Sequence, residues 1–272
     1  MPLENAVVLV TGSAQGIGRA IAVAAAKQGA KVVVNSRSKA NLDDVIDEIA
    51  SSGGKVLGIE ADLRDADQVQ SLVEHISQAW GRIDVLVNNA AGVFFANAED
   101  ITPNGWRVVI DTNLTTAFLC SRAVFPYFLR QGGGQVVNIS STAADHPHTG
   151  GAHYAAAKAG MNSMTQTLAA EWARHNIRVN GVAPGAVLTA SSRFVDDAER
   201  ARTEAQLPGG RIADATEIAE VVLTIANTAT SYLNGETIRV DGAHRGPLRK
   251  PQGVQTTRHG ERRQHERGEA SA

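Results

Sequence analysis

Tyr154 and Lys158 stand four residues apart in the Ala-rich stretch Gly151-Ala-His-Tyr-Ala-Ala-Ala-Lys158, a segment with strong helix propensity. On a helix, residues at that spacing lie one above the other on the same face. A lysine ammonium beside a phenol favours the phenolate and draws the phenol below its usual pKa of about 10. A tyrosine tuned in this way serves as a general acid or base. Ser141 lies thirteen residues before Tyr154, just past the apolar run Val136–Ile139, where a strand gives way to a loop. From there its hydroxyl reaches the oxygen that Tyr154 would protonate. Taken alone, Tyr-x-x-x-Lys is a weak signal, and the remainder of the chain must supply its context.

The second chemical signal is Thr11-Gly12-Ser-Ala-Gln-Gly16-Ile-Gly18, which follows the β-branched run Ala6–Val10. An Ala-rich helical segment, Arg19 to Gln28, and a second apolar run, Lys31–Val34, come next. A strand, a glycine turn, a helix and a strand in that order are the setting in which a glycine-rich turn binds a dinucleotide. Glycines lacking a Cβ let the backbone approach a pyrophosphate, and the helix N-terminus offers free N–H groups and a positive dipole end. The spacing is G-x-x-x-G-x-G, not the more familiar G-x-G-x-x-G.

These groups must be held by a scaffold, and the chain is long enough to bury one. Its 272 residues, 43% hydrophobic and 20% charged, fit a folded α/β protein. A net charge of −2 gives no reason to expect nucleic acid or an acidic membrane as partner. The single cysteine, Cys120, leaves no intrachain disulfide and no thiolate metal cluster. No uninterrupted apolar run approaches the roughly 20 residues of a membrane span, so a cytoplasmic location is expected.

Alternation continues with helices expected near 40–51 and 65–80, strands at 55–60 and 83–88, and a long helix around 104–129. A strand at 135–139, the Tyr154 helix, a strand at 177–182, a helix at 214–226 and a last strand at 237–240 complete the set. Apolar strands separated by helices of this length predict a doubly wound, Rossmann-like parallel sheet of about seven strands in a single domain, residues 1–245. The segment 246–272 differs. Only Leu248 and Val254 are large aliphatics there, with six Lys or Arg against three Glu, so a disordered basic tail is expected.

On these residues the chain resembles the short-chain dehydrogenase/reductase family, in a form like its 3-oxoacyl-carrier-protein reductases. The matching positions are Thr11-Gly12-x-x-x-Gly16-x-Gly18, Asp62, Asn88-Asn89-Ala90, Asn113, Ser141, Tyr154-x-x-x-Lys158, Pro184-Gly185 and the ending Asn234 to Gly242. The resemblance implies an oxidoreductase passing a hydride between a nicotinamide and a ketone or secondary alcohol, with Tyr154 as general acid or base. Lys158 would lower the Tyr154 pKa and hold the nicotinamide ribose, Ser141 would polarise the substrate oxygen, and Asn113 would hold a water leading to solvent. The turn residues Gly12, Ser13, Gln15, Gly16, Ile17 and Gly18 would carry the pyrophosphate. Ala61, Asp62 and Leu63, with Asn89, Ala90 and Ala91, would line the adenosine. Pro184, Gly185, Val187 and Thr189 would wrap the nicotinamide.

One departure is Ala91, where the family usually has glycine; the string Asn-Asn-Ala-Ala-Gly resembles the 2,4-dienoyl-CoA reductase branch. That branch does not keep the usual Tyr-x-x-x-Lys arrangement, so ketone chemistry is preferred over enoyl reduction. A non-catalytic cofactor-sensing protein would be expected to lose Tyr154 or Lys158. Pairing of the 104–129 and Tyr154 helices across a two-fold axis, implied by the resemblance, gives a homodimer or homotetramer.

Of the remaining candidates, His146, His148 and His153 cluster near the Tyr154 helix. Without carboxylate or thiolate company they are poor metal ligands, and the first two are expected at the rim of a substrate pocket. Met161, Met164, Leu168 and Trp172 recur at helical spacing and read as core, and Cys120 reads as buried packing. A substrate lid is expected near 190–210, with Phe194, Val195 and Leu207 as contacts.

The end of the second strand sets the expected cofactor. A carboxylate there would bind both ribose hydroxyls and repel a 2′-phosphate, but the chain reads Val34-Asn-Ser36-Arg37-Ser38. Arg37 can pair with a phosphate, and Ser36 and Ser38 can donate to it, so NADP is expected over NAD. Gln15 is not basic, which removes one common second phosphate contact. Replacing Arg37→Ala should raise the KM for NADPH far more than that for NADH in steady-state assays; equal changes would contradict the assignment.

Overall fold

The computed structural model describes residues 3–189, 196–227, 232–244 and 246. Its main sheet holds seven strands: β1 (Val7–Val10), β2 (Lys31–Ser36), β3 (Lys55–Glu60), β4 (Val85–Asn88), β5 (Gly134–Ile139), β6 (Ile177–Pro184) and a last strand, Thr237–Val240. Every pairing in it is parallel, in the order β3-β2-β1-β4-β5-β6 followed by Thr237–Val240. The winding reverses between β1 and β4, and the crevice beyond the carboxyl ends of those strands is where such sheets bind ligands.

The strands are apolar on both faces because helices cover both. Val8, Val10, Val32 and Val34 point to a cluster with Ile21, Ala22, Ala25, Val45 and Ile49. These come from α1 (Gly16–Lys27) and α2 (Asp43–Ser51). The alternate residues Val7, Leu9 and Val33 join Val69, Leu72, Val124, Phe128 and Leu168 on the other side. There the helices are α3 (Ala66–Trp80), a long central helix and a helix over Ala152–Trp172. Burying a side chain of this size contributes about 1.5–3 kcal/mol, so this two-sided alternation is what fixes the strand register.

The central helix is not uniform. It consists of α4 (Pro103–Ile110), a π-helical turn at Asp111–Thr115 and α5 (Thr116–Gln131). Thr112, Asn113 and Thr116 each bond a carbonyl one turn back, at 2.7, 2.9 and 2.8 Å, and so compete with the backbone ladder. A π turn rotates the side chains that follow it, and such turns gather at functional sites. The whole of Pro103–Gln131 is long and apolar enough to cross a membrane by length and composition. In this fold Val109, Ala117, Cys120, Val124 and Phe128 on it are buried against the sheet and its neighbours.

Continuing in order, α6 is Ala152–Trp172, and two residues at Val187–Leu188 (β7) pair in parallel with Ala213–Asp214 (β8). Between them lies α7 (Asp197–Glu204), while α8 (Ala215–Ile225) starts at a capping box formed by Asp214 and Glu217; the seventh strand of the sheet is β9 (Thr237–Val240). The segment expected as a lid thus carries a short helix, flanked by a two-residue strand pair, which its charge-rich sequence gave no sign of. Phe194 and Val195 lie outside the described residues, as does the 246–272 tail apart from Gly246. Met161 and Leu168 are buried, and Met164 and Trp172 pack on the same cluster.

Candidate active site

Three sequence signals converge at the carboxyl edge of β5. Ser141 follows that strand by two residues and opens a short turn, its hydroxyl accepting from the Ala143 N–H at 3.1 Å. The Tyr154 phenol faces this hydroxyl across the gap to α6, close enough for Ser141 to draw its pKa downward. One turn further along α6, Lys158 is 1% exposed, and its ammonium donates to the Ile139 carbonyl at 2.7 Å. The ammonium also stands 5.6 Å from the centre of the Tyr154 ring.

This geometry corrects the expected direction of the Tyr154 shift. The side chain is half-buried, and desolvation pushes the phenol up from its ordinary value. Ser141 works against that rise without reversing it. Lys158 spends its charge on a backbone carbonyl, and its own burial brings the ammonium down to about 7. Within the protein, Tyr154 therefore holds its proton at neutral pH.

Asn113 sits in the π turn, fully buried, donating to the carbonyls of Gly92 at 2.6 Å and Val109 at 2.9 Å. Its Oδ1 is buried without a protein partner, an acceptor in keeping with a held water.

The glycine turn lies at the reversal point of the sheet. Gly12 and Gly16 have φ of 60° and 57°, a region where side chains are strained. A Cβ on Gly18 would fall 2.4 Å from Asn89 Nδ2 and 2.6 Å from the Gly12 carbonyl oxygen, so only glycine lets α1 start this close. Neither a side-chain cap nor an acidic residue occupies the first turn of α1, which leaves Gly16 to Gly18 suited to an anionic pyrophosphate. Thr189 approaches from the other side, 3.3 Å from where a Gly16 Cβ would stand. Pro184 ends β6, the Gly185 N–H bonds the Val240 carbonyl, and Val187 lies on β7.

Several expected contacts are spent elsewhere. Ser13 is buried, its hydroxyl donating to the Val10 carbonyl and its N–H to the Asn35 carbonyl, so its donors belong to the fold and not to a ligand. Leu63 points into the core. Ala61 gives its carbonyl to Asn35 Nδ2 at 3.3 Å. Asp62 is gripped by Arg64, whose Nε lies 2.9 Å from one carboxylate oxygen and Nη2 2.5 Å from the other. That pairing holds the Asp62 carboxyl down at about 2, with Arg37 adding a smaller pull. Ser36 closes β2, and Arg37 follows it on the surface with Ser38. Asn89 donates through Nδ2 to the carbonyls of Thr11 and Gly12, while the Asn89 and Ala90 amides both reach Thr11 Oγ1; Ala91 is exposed.

The three histidines go to three places. His146 meets Arg239 of β9 at 2.8 Å, His148 lies near the Tyr154 ring, and buried His153 packs edge-on against Phe94. Sequence reasoning missed Asn35 and Arg64. It also missed a buried chain in which Asn88 Nδ2 donates to Asn138 Oδ1 at 2.8 Å and Asn138 Nδ2 to Thr165 Oγ1 at 2.9 Å. Its signal was available: Asn138 interrupts an otherwise apolar strand.

Comparison with known proteins fits this arrangement. The short chain dehydrogenase family model matches residues 6–200. A 3-oxoacyl-acyl-carrier-protein reductase, FabG, of Thermotoga maritima is 39% identical over 242 residues, covering 89% of this chain and 98% of that protein. A probable 2,4-dienoyl-CoA reductase of Bacillus subtilis is 36% identical over 88% of this chain and 96% of its own length. The crystal structure of a short-chain type dehydrogenase/reductase from Mycobacterium marinum superposes with a TM-score of 0.86 at 33% identity, covering 90% of this chain and 98% of that one.

The buried ammonium of Lys158 has a consequence for stability. Its folded pKa, about 7, lies below the ordinary 10.5. Below about pH 7 both folded and unfolded chains carry the charge, and the full cost of burying it is present. Between the two values only the unfolded chain binds the proton, so stability rises with pH, by up to about 1.4 kcal/mol per unit. Urea unfolding followed from about pH 7.5 to 9.5 should show that rise in the parent and a flatter profile in Lys158→Met. Parallel profiles would contradict it.

Proposed function

Because the chain belongs to the short-chain dehydrogenase/reductase family and is an oxidoreductase, we propose that it reduces a ketone to a secondary alcohol with NADPH. The observation that carries this reading is the meeting of Ser141, Tyr154 and the buried Lys158 at one strand edge, the ammonium 5.6 Å from the Tyr154 ring and bonded to the Ile139 carbonyl at 2.7 Å. When bound, NADPH supplies the hydride. The chain's own groups do the rest: Ser141 donates toward the substrate oxygen, where negative charge develops, and Tyr154 delivers its phenolic proton to that oxygen. Lys158, one turn along α6, replenishes the phenol, with a proton affinity set near neutrality. The unpartnered Oδ1 of Asn113 would hold the water that links the lysine to solvent.

Residues Gly12 to Gly18 would hold the pyrophosphate and Arg37 the 2′-phosphate, with Ser36 and Ser38 donating to it. The grip of Arg64 on Asp62 fixes the carboxylate that would face the adenine amino group. Pro184 to Thr189 would close on the nicotinamide. Likeness to a probable dienoyl-CoA reductase, together with Ala91, favours enoyl reduction as a second reading. Against it stands the Ser141–Tyr154–Lys158 arrangement, which is suited to protonating a carbonyl oxygen. The protein is read as a cytoplasmic enzyme of one catalytic unit, residues 1–245. Trp106 and Val108 on α4 and Phe118 and Leu129 on α5 are exposed apolar residues along one long helix, which suits pairing of subunits through it.

Following NADPH oxidation with a panel of ketones and 3-oxoacyl thioesters should reveal turnover, and Tyr154→Phe should lower kcat by at least about 100-fold. Turnover of dienoyl-CoA alone, or a phenylalanine variant as fast as the parent, would overturn the proposal.

A further inference from the structure

Two loops meet beside the Tyr154 phenol, and their side chains differ in what they do. The loop after β4 is pinned to the loop before α6 by the Ala96 N–H, which donates to the Gly150 carbonyl at 2.9 Å. Phe94 is 40% exposed, with one edge of its ring held against the fold. Its ring meets His153 edge-on at 4.5 Å and lies 2.9 Å from where a Cβ on Gly105 would stand. Phe95, the next residue, stacks instead on His148, with ring centres 5.6 Å apart and planes tilted by 42°.

His148 in turn lies 5.9 Å from the Tyr154 ring at a tilt of 46°. Its position is built in, since a Cβ on Gly151 would come within 2.4 Å of its imidazole; residue 151 must lack one for the ring to sit there. Phe95, His148 and Tyr154 therefore form a ladder of three rings that ends on the proton donor. Arg239, the cation near His146, is already engaged by Asp241 at 2.9 Å and Asp145 at 3.4 Å. Its charge is thereby matched within the protein and gives no cause to expect an anionic substituent along the ladder.

We propose that Phe95 and His148 form a stacking wall for a flat aromatic substituent on the substrate, which makes aryl-bearing ketones the favoured substrate class. The proposal rests on the carbonyl-reduction reading above for its chemistry, and on the ring geometry for its specificity. A substrate oxygen placed between Ser141 and Tyr154 directs its neighbouring substituent past His148, where aromatic rings stack in offset or tilted arrangements.

The test compares two 3-oxo esters that differ in one substituent, ethyl benzoylacetate and ethyl acetoacetate, in the parent, Phe95→Leu and Phe95→Tyr. Leucine keeps the apolar bulk without a ring, and tyrosine restores the ring. The ratio of kcat/KM for the aryl over the alkyl ester should fall about fivefold in Phe95→Leu, the worth of one ring contact, and recover in Phe95→Tyr. A ratio unchanged in Phe95→Leu would overturn the wall. If the parent reduces neither ester, the ketone reading fails. The wall is then judged by saturation-transfer NMR from the protein to the phenyl protons of ethyl benzoylacetate. Transfer weakened in Phe95→Leu and restored in Phe95→Tyr supports it; equal transfer in all three proteins, or none in the parent, overturns it.

Discussion

Burying the Lys158 ammonium under the Ile139 carbonyl is the constraint on which the site depends. A charge that is 1% exposed is costly unless its protons are bonded, and the carbonyl that bonds it lies at the carboxyl end of β5. That contact ties α6 to the sheet edge. It thereby fixes Tyr154 one turn earlier on the same face, opposite Ser141 at the start of the loop from β5. Ser140 adds a second tie, its hydroxyl donating to Asn162 of α6 at 2.6 Å. The helix cannot slide along β5 without leaving a buried ammonium unpaired, so the alignment of Tyr154 with Ser141 is a by-product of satisfying a buried charge.

A similar economy holds around the glycine turn. Thr11 accepts from two successive amides beyond β4, Asn35 ties β2 to the loop after β3, and Asn88, Asn138 and Thr165 link β4 and β5 to α6. These polar groups are bonded inside a sheet apolar on both faces, which makes the carboxyl edges of the central strands rigid. Rigidity there lets a turn of small residues present bare backbone to a ligand. Ser13 shows the division of labour: it lies within the binding turn yet spends its donors on Val10 and Asn35.

Much of this was legible in the amino-acid order because it rests on local patterns. Apolar runs such as Val7–Val10 and Val32–Val34 marked the strands, since both faces are covered, and their alternation with helices led to the parallel sheet. Glycines 12, 16 and 18 and the Tyr154–Lys158 spacing pointed to the candidate site, since backbone freedom and helical periodicity are properties of short segments. Contacts set by rotamers and by loops meeting in space were not legible. The Arg64 grip on Asp62, the stack of Phe95 on His148 and the π turn at Asp111–Thr115 depend on how distant or adjacent groups compete for hydrogen bonds and room. The proton affinity of Tyr154 was misread for the same reason. Sequence spacing places a charge near the phenol, but burial outweighs it.

In the proposed reaction, a phenol that keeps its proton is the donor to the carbonyl oxygen. Tyrosine labelled at the ring carbon bearing oxygen reports its ionisation directly by carbon NMR, and the Tyr154→Phe spectrum identifies the signal among those of Tyr127 and Tyr232. In the protein without cofactor the account predicts that the Tyr154 signal stays in its protonated position up to at least about pH 10, the ordinary phenol value. A midpoint in the neutral range would show that the lysine charge, and not burial, sets the proton affinity, and would contradict it.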